Sequence, residues 1–435
     1  MKLDTRQKYM FAISSEIADN SGVKNIVEPG RAHYSYRAVR DKFCNMFDKE
    51  GQPWIDLKHP EIYRDFNLKE TAFNNFSSLK IHIAFKPTQY LRTAGGFFNV
   101  AHIAWEFDKI RSKYAADPVL PCNDDLRMLR AFDQVWVGCE FTRNVLQKHH
   151  IENIHVVPAP CELPPKHLLN NGQEEYSSKL DKISRVKIRC WPVSVRNHGF
   201  MYAQHSLKNR PTDLTHIVQR VKSNGGLAFL QILNPHDNRK NLKKLIKAFH
   251  AFHYDNPNSI LILKFTSPEK NEKVYEILRW FLGDSHALDA HGIHFTTDYI
   301  PESLKFEFLS LFDFYMSPSR AEGQNLPLQE AMAAGVIPVT TDNTAMSDYI
   351  TERNSVIIPS VPTEITHLTS SDASTWGFQW YDCSELDILR ALGRAAKMPK
   401  TRISVMTDEC RDTISRKYSF EAISKLVRTA VGAER

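Results

Sequence analysis

The sequence predicts an α/β protein of two Rossmann-like domains facing one another across a cleft. Strand and helix signals alternate through the first 160 residues, break off between about 164 and 225, and resume from 227 to 341. Repeated alternation of this kind implies a parallel sheet covered by helices. A chain of 435 residues accommodates two or three domains, each able to bury its own core. The expected units are an N-terminal domain over 1–222 with a basic insertion from about 164 to 222, a C-terminal domain over 223–406, and a helical tail over 407–435.

In the first half, KYMFAISS, SLKIHIAF (78–85) and VAHIAWEF (100–107) read as strands. DLRMLRAF then reads as a helix, QVWVG as a short buried strand, FTRNVLQKHH as a helix, and NIHVVPAP (153–160) as the close of the pattern. Between 164 and 225 the chain carries Pro164-Pro165, the polar run NNGQEEYSS and Gly225-Gly226, the composition of an insertion and linker. The second half restarts with the strand LAFLQIL (227–233). The helix after it places Leu242, Leu245, Ile246, Phe249 and Phe252 on one face. SILILKF, GIHFTT, DFYMSPS and VIPVTT are further strands, and KVYEILRWFL (273–282), PESLKFEFLSLF and LPLQEAMAA further helices.

Composition excludes several classes. Seven scattered cysteines with no CxxC pair argue against a disulfide framework and a zinc site, and fit a reducing compartment. The polar N-terminus MKLDTRQKYMF is unlike a signal peptide, and no apolar run approaches the roughly 18 residues of a membrane span. The expected location is the cytoplasm. Net charge is +6, and the stretch from Asp181 to Gly225 holds nine Lys/Arg against two acids, a local balance of +7. That stretch is either a solvated insertion or a surface for an anionic partner such as a membrane face. Nucleic acid is not an expected partner, since no aromatic–basic interleaving or known module is present. Neither half opens a helix with GxGxxG after a strand, which disfavours a dinucleotide dehydrogenase.

The most informative stretch is SPSRAEGQNLPLQEAMAAGVIPVTT (317–341). It reads as strand, glycine loop and helix, with Pro327 at the first helical turn and Gly335 at the C-terminal stop. The loop Glu322-Gly323-Gln324-Asn325 runs into a helix N-terminus, where free amides and the helix dipole suit a phosphate. Glu322 could accept hydrogen bonds from sugar hydroxyls and Glu330 could grip a ribose diol. Taken singly, each glutamate is equally a turn residue or a dipole-favoured helix residue.

Taken together, Glu322 and Glu330 in PSRAEGQNLPLQEAMAAGVIPV resemble the E-x7-E signature of retaining glycosyltransferases, in the form of family 4 of the GT-B class. The resemblance covers most of 227–435 and is weaker before that. It implies that Glu322 contacts the donor sugar, Glu330 the ribose, and the backbone at Gly323, Gln324, Asn325 and Leu326 the sugar and phosphate. NPHDNRKNLKKLIKAFHAF (234–252) also opens a helix after a strand, and crowds Arg239, Lys240, Lys243 and Lys244 at its positive end. That is the wrong sign for the helix dipole, and a bound diphosphate would reverse it. The resemblance implies that Lys240 and, less directly, Arg239 hold the donor pyrophosphate. The commoner family pattern places its arginine at the position held here by Pro235. Lys243 and Lys244 are expected on the surface. Tyr299 and Ile300 fall where the family meets the nucleobase, though core packing explains them as well. VWVGCEFTRNVLQKHHIENIHVVPAP resembles the end of the family's first domain, with Cys139 where Ser is common. In NVAHIAWEFDKI (99–110), His102 is either a donor-side histidine or a core residue, and Glu106 a candidate for the acceptor side.

The implied reaction transfers a sugar from a nucleotide diphosphate to an acceptor hydroxyl with its anomeric configuration retained. The acceptor would be a surface glycan or lipid-linked glycan. No metal or cofactor is expected, because cations and a helix end can stabilise the departing diphosphate. A sugar-nucleotide epimerase on the same fold and a catalytically silent sugar-nucleotide-binding protein are the alternatives.

Overall fold

The structure, a computed structural model, describes residues 9–15, 32–64, 79–111, 124–169, 173–195, 211–266, 288–370 and 372–432, with 274, 276 and 278. Most of the helix expected over 273–282 lies outside these residues.

Two sheets carry the fold. The first has six parallel strands: β1 (Tyr9–Ser14), β2 (Trp54–Asp56), β3 (Leu79–Phe85), β4 (Phe98–Ile103), β5 (Gln134–Val137) and β6 (Ile154–Val156), in the order β2-β1-β3-β4-β5-β6. Helices α1 (Ala32–Lys49), α2 (Asp125–Arg130) and α3 (Glu140–Lys148) connect them. The strands are nearly continuous apolar runs, as a sheet covered on both faces requires. Phe11, Ile13, Ile81, Ile83, Phe85 and Val100 pack with Phe43 and Phe47 of α1 in one core.

The second sheet has eight strands in the order β14-β13-β12-β9-β10-β11-β7-β8. Its parallel part comprises β9 (Ala228–Leu233), β10 (Ile260–Phe265), β11 (Leu288–Thr296), β12 (Phe314–Ser317), β13 (Ile337–Thr340) and β14 (Val356–Ile357). Helix α6 (Leu242–Asp255) follows β9 and buries Leu242, Leu245, Ile246, Phe249 and Phe252, the face anticipated from spacing. Helix α7 (Lys305–Leu309) precedes β12, and α8 (Leu326–Ala333) follows it. From β9 the chain builds outward through β10 and β11, then returns to the other side of β9 with β12. The reversal places the switch point between β9 and β12, where open α/β sheets bind ligands at their carboxyl edge.

The segment from 164 to 222, expected as an insertion on the N-terminal domain, extends the second sheet. β7 (Arg189–Val195) pairs antiparallel with β11, and β8 (Thr212–Asp213) with β7. Helices α4 (Gln173–Ser184) and α5 (Leu214–Ser223) cover that edge. After the polar run the segment carries a buried set, Ile183, Ile188, Cys190, Leu214, Ile217 and Val218, which joins the core of Leu230 and Ile262. The segment's cations meet acids here: Lys182 pairs with Glu307 at 3.1 Å, Arg189 with Asp298 at 2.9 Å, Arg185 with Asp181 at 2.6 Å, and Lys222 with Asp313. Arg196, Lys208 and Arg210 lie outside the described residues.

Two elements tie the sheets together. After α9 (Glu385–Ala396) and α10 (Lys400–Tyr418), α11 (Phe420–Ala430) sends Ile423, Val427 and Ala430 into the core of the first sheet. A hairpin, β15 (Val361–Glu364) and β16 (Gln379–Asp382), brings Ile365, Phe378 and Trp380 against Trp105, Phe107 and Leu126. Among the described residues no helix is long and apolar enough to cross a membrane.

Candidate functional site

Two loops meet at the switch point. One runs from β9 to α6 over 234–241, the other from β12 to α8 over 318–325. Each enters its helix through an asparagine in the left-handed region, Asn241 at φ 55° and Asn325 at φ 63°. Asparagine tolerates that backbone better than other non-glycine residues. The turns bring Lys240 Nζ to 2.6 Å from Glu322 Oε1. Glu322 is 4% exposed, so water barely screens the pair. Beside it, Arg239 donates to both carboxylate oxygens of Asp237 at 3.0 and 2.8 Å. Burial pushes the Asp237 carboxyl up to about 6, against the pull of Lys240. Around the second loop, the amides of Gln324, Asn325 and Leu326 reach no acceptor among the described residues. They stand at the start of α8 as donors for an anion.

Glu330, on α8, receives Lys42 from α1 at 2.5 Å and Lys305 from α7 at 3.2 Å. Burial opposes its ionisation, but the two ammonium groups outweigh it and hold the carboxyl below its usual range. Lys42 is a first-sheet residue, so this pair crosses the interface between the sheets.

The glutamate loop is seated on the first sheet by close backbone approach. A Cβ on Gly138 would stand 2.9 Å from the Gly323 carbonyl oxygen, and one on Gly323 would stand 3.0 Å from the Ala104 methyl. The Tyr36 hydroxyl donates to the Ala104 carbonyl at 3.3 Å and accepts from its N–H at 3.2 Å. The Gln324 amide makes paired hydrogen bonds to the backbone of Ala159, both 2.8 Å. Gly138→Ala should therefore wedge the loop away at a cost of about 1–3 kcal/mol. The expected result is a lower melting temperature with weaker nucleoside-diphosphate binding; unchanged values of both would contradict the contact.

The structure thus brings Glu322, Lys240 and Arg239 together, with Gly323, Gln324, Asn325, Leu326 and Glu330 on the adjoining loop and helix. Glu106 reaches the same cluster, accepting from Arg239. His102 does not join it. Its ring packs against Phe43 and Phe85, which also touch each other, with Nε2 donating to the Val157 carbonyl at 3.0 Å, a core position beside an apolar cluster. Tyr299 is 76% exposed, and Ile300 packs on the second-sheet core. Lys244, expected on the surface, instead pairs with Asp382 at 2.8 Å. Sequence reasoning missed Lys42, Lys305, Tyr36, Asp237 and Arg320. Arg320 donates to the Asn238 carbonyl at 2.9 Å and stacks 4.7 Å from the Trp380 ring. Only Asp237 and Arg320 had a signal, as neighbours of the basic and glutamate motifs.

Burial pushes His102 and His82 down to about 4 each. His82 is fully buried between the Ser14 hydroxyl at 2.8 Å and Asn99 Oδ1 at 2.9 Å. Both folded-state values lie below the unfolded value near 6.5, so the unfolded chain binds protons first. Stability should be intact above about pH 6.5 and fall progressively towards pH 4, by roughly 3 kcal/mol for each histidine. Guanidinium midpoints measured across that range check this, and His82→Gln should flatten the slope. An unchanged slope in that variant would count against a buried neutral His82.

Residues 227–368 match a family model described as Glycosyl transferases group 1. No curated protein matches the chain by sequence. Among solved structures, a mutant of S. aureus TarM in complex with Fondaparinux, alpha-GlcNAc-glycerol and UDP is 13% identical at a TM-score of 0.47, covering 81% of this chain and 55% of its own. This chain therefore spans just over half the length of TarM. A trehalose-6-phosphate structure from E. coli bound with UDP-2-fluoro glucose is 11% identical, with 97% and 98% coverage and a TM-score of 0.53. The N-terminal domain of Candida albicans trehalose-6-phosphate phosphatase is 10% identical, with 99% and 97% coverage and a TM-score of 0.55. The last two similarities show the fold, which is GT-B, and the stretch matched by the family model runs from the start of β9 past the end of β15.

Proposed function

We propose that this chain is a retaining glycosyltransferase that moves a sugar from a nucleotide diphosphate to an acceptor hydroxyl. The observation that carries the reading is the convergence of two loop-to-helix junctions on one point, with Lys240 and Glu322 in contact at 2.6 Å. A diphosphate laid there meets Lys240, Arg239 and the free amides that open α8. Preorganised positive groups stabilise the charge that develops on a departing diphosphate. Glu322 is placed for the sugar hydroxyls and Glu330 for the ribose diol. Retention, with the acceptor attacking the face the diphosphate leaves, follows from the family resemblance and is the finer part of the proposal.

A UDP-sugar is the first donor to try, since the E. coli structure of the same fold holds UDP-2-fluoro glucose. The acceptor class we favour is a glycan or lipid-linked glycan. Membrane contact through 181–225 is the less supported part of the reading, because four of that stretch's cations are paired with acids. The test incubates the protein with UDP-glucose or UDP-N-acetylglucosamine, with and without glycan and lipid extracts, and follows UDP release. Transfer should require acceptor, and proton NMR should show the donor's anomeric configuration in the product. Epimerised donor without acceptor would make the protein an epimerase. UDP binding with no turnover on any extract would make it a silent binder.

A further inference from the structure

Arg239 is held from two sides. Asp237, on its own loop, takes two of its N–H groups, and Glu106, from the segment after β4 in the first domain, takes a third. Lys240 is likewise engaged by Glu322. Three carboxylates, Asp237, Glu106 and Glu322, thus face two cations, leaving one excess negative charge where the donor diphosphate would sit. The neighbouring cations Arg320 and Lys244 share the single carboxylate of Asp382, and Asp372, a further acid acting on Arg239, offsets their surplus. With Glu322, Lys240 and Glu106 at most 16% exposed and Arg239 28% exposed, adding a diphosphate to a site already net negative is unfavourable. Asp237 and Glu322 belong to the donor domain and cannot leave it. Glu106 can turn away by rotation of its side chain, while Trp105 and Phe107 on either side of it stay packed against Phe378.

We infer that Glu106 is a resident anion that occupies Arg239 in place of the donor diphosphate and must withdraw before the donor binds. This rests on the donor reading above and deepens it. In the ligand-free protein, the Glu106–Arg239 pair stands beside the Gln324–Ala159, Lys42–Glu330 and Trp105–Phe378 contacts between the two sheets. Rotation of its side chain withdraws Glu106, removes the excess charge and frees the N–H it held for a phosphate oxygen. Glu106 is in this sense a positioning residue. The Glu106–Arg239 pair and occupancy of Arg239 by donor are mutually exclusive, so donor affinity is reduced by the fraction of protein in which the pair is formed.

The experiment is calorimetric titration of UDP into the full chain, for the native protein and for Glu106→Gln, Glu106→Asp, Glu106→Ala and Glu152→Gln. Gln is isosteric and still offers Arg239 an acceptor, so the fold is retained, and circular dichroism verifies it. Close charge pairs across an interface have coupling energies that correspond to at least about a tenfold change in affinity. Glu106→Gln should therefore bind UDP about tenfold tighter than the native chain, and Glu106→Ala at least as tightly. Glu106→Asp, which keeps the charge, should stay near the native value, as should the remote surface change Glu152→Gln. A merely structural Glu106 would give equal or weaker binding on neutralisation, and that result overturns the inference while leaving the donor site standing. Absence of UDP binding by every variant, the native chain included, would instead defeat the donor reading and this inference with it.

Discussion

Lys240→Ala is expected to abolish transfer and to destabilise the protein in the same step. Both effects come from one geometry. Lys240 is the cation in contact with Glu322 at 2.6 Å, and the two side chains are 15% and 6% exposed. Removing a preorganised group that stabilises developing charge typically lowers kcat by about 10²–10³-fold. Removing one partner of a buried pair leaves the other charge dry and unpaired, at about 3–5 kcal/mol. The two effects separate in the double variant Lys240→Ala, Glu322→Ala, which should regain most of the stability and none of the activity. UDP release and chemical denaturation measure the two quantities. A stable Lys240→Ala protein with near-native turnover would rule out the central pair as the source of either effect.

Glu330→Ala is the second large effect. It strands Lys42 and Lys305, which converge on this one carboxylate from the first and second sheets. Lys305 keeps Glu302 as a partner, but no other acid within reach of Lys42 is recorded among the described residues. The expected loss of stability is again about 3–5 kcal/mol, concentrated at the interface that Lys42 crosses. Binding should discriminate between ligands. Charge-assisted hydrogen bonds to a ribose diol are worth about 1.5–3 kcal/mol, so UDP affinity should fall by roughly 10–100-fold. Inorganic pyrophosphate, which has no ribose, should bind the variant as it binds the native chain. Equal losses for both ligands would show that Glu330 supports the phosphate site rather than the sugar of the nucleotide.

Legibility divides by the range of the interactions involved. The helix after β9 was readable because Leu242, Leu245, Ile246, Phe249 and Phe252 repeat at helical spacing and the helix needs only its own turn geometry. The edge formed by β7 and β8 was not, because its buried residues are interleaved with Lys182, Arg185, Lys187 and Arg189, whose charges meet acids or lie at the rim. The hairpin of β15 and β16 escaped notice for a related reason. Its apolar residues Ile365, Phe378 and Trp380 find their partners in Trp105 and Phe107, more than 250 positions earlier in the chain. His102 shows the opposite limit. Its place in an apolar strand fitted a core residue and a site residue, and only its burial against Phe43 and Phe85 decides for the core.

The order of residues alone determined the two rounds of strand and helix, the glycine loop ahead of α8 and the basic loop ahead of α6. Each is an affair of neighbours a few positions apart, governed by backbone dihedrals, caps and the burial of one face. Tertiary structure decided which charges meet. Lys240 and Glu322 are 82 positions apart, Arg239 and Glu106 are 133, and Lys42 and Glu330 are 288. Coulomb attraction acts through space over a few ångströms and leaves no trace in local spacing, so the first pair emerges only once the second sheet is assembled, and the other two only once the two sheets are packed against each other.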